Sequence, residues 1–98
     1  MGIFKKRATT ENYREFRRAF SQIRKISTRE TLQEVDMTAG YLCGIVQERA
    51  AAGRLTHPQR EALLEMIEAK QEERREELEA EESAENIFAE LPLYKISP

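Results

Sequence analysis

Ala52-Gly53-Arg54-Leu55-Thr56-His57-Pro58-Gln59 decides the fold, because it reads as the turn of a helical hairpin built from residues 27–69. Gly53 is the residue type that closes a helix with a left-handed cap. Thr56 with Gln59 then forms a capping box, with Pro58 inside the first turn where its missing amide costs nothing. Upstream, Leu32, Val35, Ala39, Leu42, Val46 and Ala50 recur at steps of three and four, which places them on one stripe of a helix. Ser27-Thr28-Arg29-Glu30 offers a capping box for the start of that arm. Downstream, Leu63, Leu64, Met66 and Ile67 supply the apolar side of the returning arm. Two capped helices joined by so short a turn are expected to lie antiparallel.

The first arm is apolar on more than one side. Met37, Tyr41 and Ile45 project roughly opposite the main stripe, so the arm is expected to be a central helix covered on two faces. Gly40 and Gly44 lie between those faces, and two readings stand: a strip for helix–helix packing, or tolerated glycines that each cost about 1 kcal/mol against Ala.

Working outward, 98 residues make one domain. The chain is 35% charged and 40% hydrophobic with no Trp, and the expected fold class is all-α, a small three- to four-helix bundle on the hairpin. No apolar run approaches the roughly 20 residues of a membrane span, and the short start is no signal peptide, so a cytoplasmic protein without membrane contact is expected. The single cysteine, Cys43, forms no internal disulfide and reads as an inert, buried thiol. The net charge of −2 conceals an asymmetry: residues 1–29 carry +7 and residues 30–98 carry −9.

Residues 1–9 read as a disordered basic leader. Thr9 or Thr10 then caps a helix over residues 11–25, with Tyr13, Phe16, Phe20 and Ile23 as its apolar stripe. Beside that stripe lie Arg14, Arg17, Arg18, Arg24 and Lys25, a partner-binding candidate. An array of fixed cations suits an acidic protein surface or a nucleic-acid backbone, whereas the plainer reading pairs it with the acidic third helix of the same chain. No aromatic platform or glycine-rich loop points to sequence-specific readout.

From Glu68 to Glu82 the chain is almost wholly charged, with Leu78 its one sizeable apolar residue, and it reads as helix running past the core into solvent. The helical domain is placed at residues 10–82. Residues 83–98 form an apolar docking segment carrying Ile87, Phe88, Leu91, Leu93, Tyr94 and Ile96, expected to dock on its own hairpin or in a groove of another chain.

Catalytic chemistry is not expected. The one histidine, His57, stands at a helix start in a structural role, and there is no Cys/His cluster, calcium loop or phosphate-binding glycine loop. No metal site and no cofactor are anticipated. The apolar content between Tyr13 and Ile67 is small for three helices, so a homodimer or a bound partner is expected to complete the core.

The stretch Arg24-Lys25-Ile26-Ser27-Thr28-Arg29-Glu30-Thr31-Leu32 resembles the join between the first two helices of the Hha/YmoA family of small bacterial proteins. Arg74-Arg75-Glu76-Glu77-Leu78 resembles the arginine-bearing part of that family's third helix, and Leu55-Thr56 also has a counterpart. The stretch from Val35 to Arg54 is longer than the family pattern, Glu72-Glu73 replaces its Asp-His pair, and its tryptophan-bearing end is missing. The resemblance implies a helical, non-enzymatic modulator of transcription that binds the nucleoid protein H-NS, with Arg74 and Arg75 on the partner or DNA surface. The residues themselves favour a protein-binding regulator or inhibitor of the kind short bacterial, phage and plasmid genes encode. A nucleic-acid-associated protein using the Arg14 to Lys25 face, and a structural subunit of a larger assembly, are the alternatives.

Overall fold

The turn at Gly53 closes as its residue type requires. The amide of Arg54 donates to the carbonyl of Arg49 at 2.9 Å and that of Gly53 to Ala50 at 3.0 Å, the paired bonds of a Schellman cap. Gly53 itself has φ +79°, the left-handed conformation that a side chain disfavours. Three residues on, the capping box is reciprocal. The Thr56 amide donates to Gln59 Oε1 at 2.9 Å, and the Gln59 amide to Thr56 Oγ1 at 3.2 Å.

This computed structural model describes the backbone of residues 2–89 and the side chains of residues 10–87. The protein is all-α: α1 (Gly2–Ile23), a 3-10 turn (Arg24–Thr28), α2 (Leu32–Ala51) and α3 (His57–Ala89), with no strand among the described residues. α2 and α3 pack on each other in opposite directions, as Asp36 meeting Arg75 near one end and the Gly53 turn at the other require. α1 runs alongside α3 in the same sense. Asn12 Nδ2 donates to the Arg54 carbonyl beside the start of α3, and Arg74 Nε donates at 2.8 Å to the Arg29 carbonyl just past the 3-10 turn.

The core is one cluster: Ile23, Ile26, Val35, Ala39, Leu42, Val46, Leu55, Leu63 and Ile67. Ile26 and Leu55 sit in the connections rather than in the α-helices, so the two turns plug the ends of the cluster. Phe16, Ala19, Leu64, Met66 and Leu78 pack around it.

Several expectations are corrected. α2 is capped by Thr31, whose side chain accepts from the Glu34 amide at 3.1 Å, while the Glu34 carboxylate accepts from the Glu30 amide. Ser27 and Thr28 lie inside the 3-10 turn. The preceding segment needs that turn to seat Ile26, which postpones the cap by one helical turn. α1 starts at Gly2 rather than near Glu11, since nothing between Gly2 and Glu11 breaks a helix and Lys, Arg and Ala propagate one well. Tyr13 and Phe20 are exposed, because α1 seats on the line Phe16, Ala19 and Ile23. Met37 (66% exposed) and Tyr41 (68%) also face outward, whereas Ile45 is half-buried beside α1: α1 and α3 flank α2 and leave most of that second side uncovered.

α3 sets the outline. Its 33 residues outrun the 20 of α2 by about 20 Å at 1.5 Å per residue, and residues 79–87 are all exposed. With the turns of α1 before Asn12 projecting past the Gly53 turn at the other end, the described particle is a rod, 79 × 20 × 15 Å.

Candidate docking surface on the first helix

α1 is held by its polar side as well as its apolar one. Glu15, whose side chain is only 18% exposed, takes Arg49 Nη1 at 3.2 Å and Arg54 Nη1 at 3.4 Å, tying the helix to the last turn of α2 and to the Gly53 turn. With Glu15, Asn12, Phe16, Ala19 and Ile23 all directed at the body, the opposite side of α1 is the side that carries Arg14, Arg17 and Arg18, and Arg24 and Lys25 continue it in the 3-10 turn.

All five of these cations are exposed, and among the described residues none forms an ion pair. Arg17 is stacked 5.9 Å from the Tyr13 ring centroid, a cation–π contact that leaves its charge facing water. The expectation that the acidic third helix neutralises this stripe is therefore corrected. α3 runs along the other side of the body, and its own basic residues take up its nearby carboxylates: Lys70 with Glu73, Arg74 with Glu77 and Arg75 with Glu79.

Arg74 and Arg75, which the family resemblance places on a partner surface, are engaged inside the chain. Arg74 is bound to the Arg29 carbonyl and to Glu77 at 3.1 Å. Arg75 pairs with Asp36 at 2.5 Å, and Gln71 Nε2 donates to the same carboxylate at 2.9 Å. The Arg75 hydrogen bond, then that of Gln71, holds the Asp36 carboxyl below the usual carboxylate range. This clamp joins α2 to α3 and has no local sequence signal, since its members are 35 and 39 residues apart.

The remaining candidates are dispersed. Gly40 and Gly44 lie on the exposed side of α2, and a Cβ at either would meet nothing within 4 Å, so they support no packing within the chain. Ile87 is on α3 and 56% exposed. The side chains of Phe88, Leu91, Leu93, Tyr94 and Ile96 lie outside the described residues. Cys43 is half-buried and unpaired, and desolvation first, then the nearby Glu68 charge, pushes its thiol upward. His57 is exposed, 3.9 Å from Glu61.

Two concavities border α1. An open cleft of about 570 Å³ between α1 and the Gly53 turn has Arg14, Arg18 and Arg54 on its walls, but also Glu11 and Glu15. That mixed charge suits the ion-paired joint it adjoins better than a bound anion. A narrower groove of about 180 Å³ between α1 and α2 is lined by Ala19, Tyr41 and Ile45 and reaches Leu42, Val46 and Ile67 in the core. No group of three or more metal-ligating side chains occurs among the described residues, and no helix there is long and apolar enough to cross a membrane. Comparisons with protein families, curated proteins and solved structures gave no match to the chain.

Proposed function

We propose that this chain is a non-enzymatic docking protein, a regulator or inhibitor, whose small three-helix bundle presents the outward face of α1 to an acidic surface of a larger protein. One observation carries the reading: five exposed cations share a single side of the rod and have no ion pair among the described residues, while the other arginines in that set are tied within the chain, Arg29 to the Thr38 hydroxyl and the rest to carboxylates. Unpaired fixed charge of one sign steers association with a surface of the opposite sign. The apolar residues that follow Ser83 add a second contact, with Ile87 the first of them and already facing outward.

The acidic arm of α3 favours a protein over a nucleic acid as the target. A polyanion tracking along the rod from α1 would meet residues 76–89, which hold six Glu and no Lys or Arg. An acidic protein surface of limited extent meets no such opposition.

The test is affinity capture from bacterial lysate at low and high salt. It compares the full chain, Arg14→Glu/Arg17→Glu/Arg18→Glu and a chain ending at Ser83. A defined protein retained by the full chain, released by salt and lost in the triple variant supports docking through α1. Equal capture by the triple variant removes the role of this face, and nuclease-sensitive retention of nucleic acid overturns the protein reading.

A further inference from the structure

The unpaired basic stripe has a matching surface elsewhere on the same molecule. Beyond the end of the body, α3 continues as a single helix over residues 79–89, about 16 Å at 1.5 Å per residue, with residues 79–87 exposed. Residues 76–89 contribute Glu76, Glu77, Glu79, Glu81, Glu82 and Glu85 with no basic residue between them. Four of these, Glu76, Glu81, Glu82 and Glu85, are exposed and have no ion pair among the described residues. The stripe from Arg14 to Lys25 is of similar length, about 17 Å with the steeper rise of the 3-10 turn at its end.

Within one chain the two surfaces cannot meet. α1 and α3 run in the same direction, and α1 has given way to the 3-10 turn by Arg24, while α3 passes Arg29 at Arg74 and continues away from the body. The arm of any copy therefore points away from its own stripe. It points, however, at whatever abuts that end of the rod.

We infer that a second copy of this chain abuts there, forming a two-fold dimer in which the acidic arm of each α3 lies antiparallel along the basic face of α1 in the other. Two features select this arrangement. The arm and stripe match in length and oppose in charge, and a two-fold axis at the arm end satisfies both copies at once, so the contact closes instead of propagating into a filament. The dimer also covers the face through which docking is proposed, so self-association sets how much of that face is free. That consequence rests on the docking reading. The dimer does not, because it is measured on the purified chain alone.

The experiment is sedimentation equilibrium of the purified full chain, with circular dichroism to verify that each variant is helical. At about 50 mM salt the expected mass is twice that of the chain, falling to the chain mass near about 0.5 M as the ion pairs are screened. Arg14→Glu/Arg17→Glu/Arg18→Glu alone and Glu81→Lys/Glu82→Lys/Glu85→Lys alone are each expected to sediment as single chains at low salt. Mixed in equal amounts they are expected to recover the doubled mass, because each arm then faces a stripe of opposite charge. A single-chain mass for the unmodified protein at low salt overturns the inference. So does a ladder of larger species, and so does failure of the mixture to recover the dimer.

Discussion

One substitution made at three positions should change stability in opposite directions. At Gly53, Gly40 and Gly44 a Cβ would meet nothing within 4 Å, so steric contact contributes at none of them and backbone conformation alone decides the result. Gly53 has φ +79°, where a side chain costs about 1–2 kcal/mol; restricting the unfolded chain returns about 0.4–1 kcal/mol. Gly53→Ala is therefore expected to lose about 1 kcal/mol net, a fall in Tm of about 4–8 °C for a domain of this size. Gly40 and Gly44 lie in the interior of α2, where Gly is about 0.5–1 kcal/mol worse than Ala. Each change to Ala there should raise Tm by up to the same interval. The assay is thermal and urea unfolding followed by far-ultraviolet circular dichroism, in dilute protein and high salt so that association does not contribute. A gain at Gly53 would refute the Schellman geometry of the turn. Losses at Gly40 and Gly44 would show that their face is packed against another helix, contrary to the exposed α2 described above.

The cap of α2 gives a second pair of opposed outcomes: Thr31→Ala should cost about 1 kcal/mol in urea unfolding, whereas Ser27→Ala, at an exposed position in the 3-10 turn, should stay within about 0.5 kcal/mol. In the core, Ile67→Val removes a methyl group from a fully buried side chain and should cost about 0.5–1.5 kcal/mol, while Ile87→Val on the exposed arm should leave Tm unchanged. The Asp36 clamp should also appear in the pH dependence of stability. Its carboxyl is held below its unfolded value by Arg75 and Gln71, so its contribution is fully present above about pH 4 and is lost as pH falls through the lower, folded value. Asp36→Asn should flatten the stability curve in that acidic window and leave its shape above pH 5 unaltered, roughly one unit clear of the ordinary carboxylate value.

How much of this was legible in the sequence follows from the range of the interactions. The Gly53 turn and the Thr56–Gln59 box are written in residues no more than five apart, and both form as their residue types require. The stripe of Val35, Ala39, Leu42 and Val46 is likewise local, because helical periodicity depends only on spacing, and all four are buried. The cap of α2 was legible but ambiguous. Ser27 and Thr31 each begin a Ser/Thr-x-x-Glu pattern, and only the need to seat Ile26 in the core chooses Thr31. The covered second face of α2 failed for a different reason. Spacing shows that Met37 and Tyr41 share a side of the helix, but not that two neighbours are too few to reach it.

The candidate surface divides in the same way. That Arg14, Arg17 and Arg18 lie side by side follows from helical geometry and was determined by the sequence, as were the acidic run after Lys70 and the opposite charge of the chain's two ends. Which way the basic side faces was decided by tertiary structure. Glu15 and Asn12 anchor α1 to the Gly53 turn, 34 to 42 residues away, and that anchoring turns the arginines outward. Tertiary structure also decided that the acidic helix does not neutralise them, because α3 lies parallel to α1 and outruns it. Charge is a property each residue carries along the chain; whether two charges meet depends on how far apart the fold leaves them.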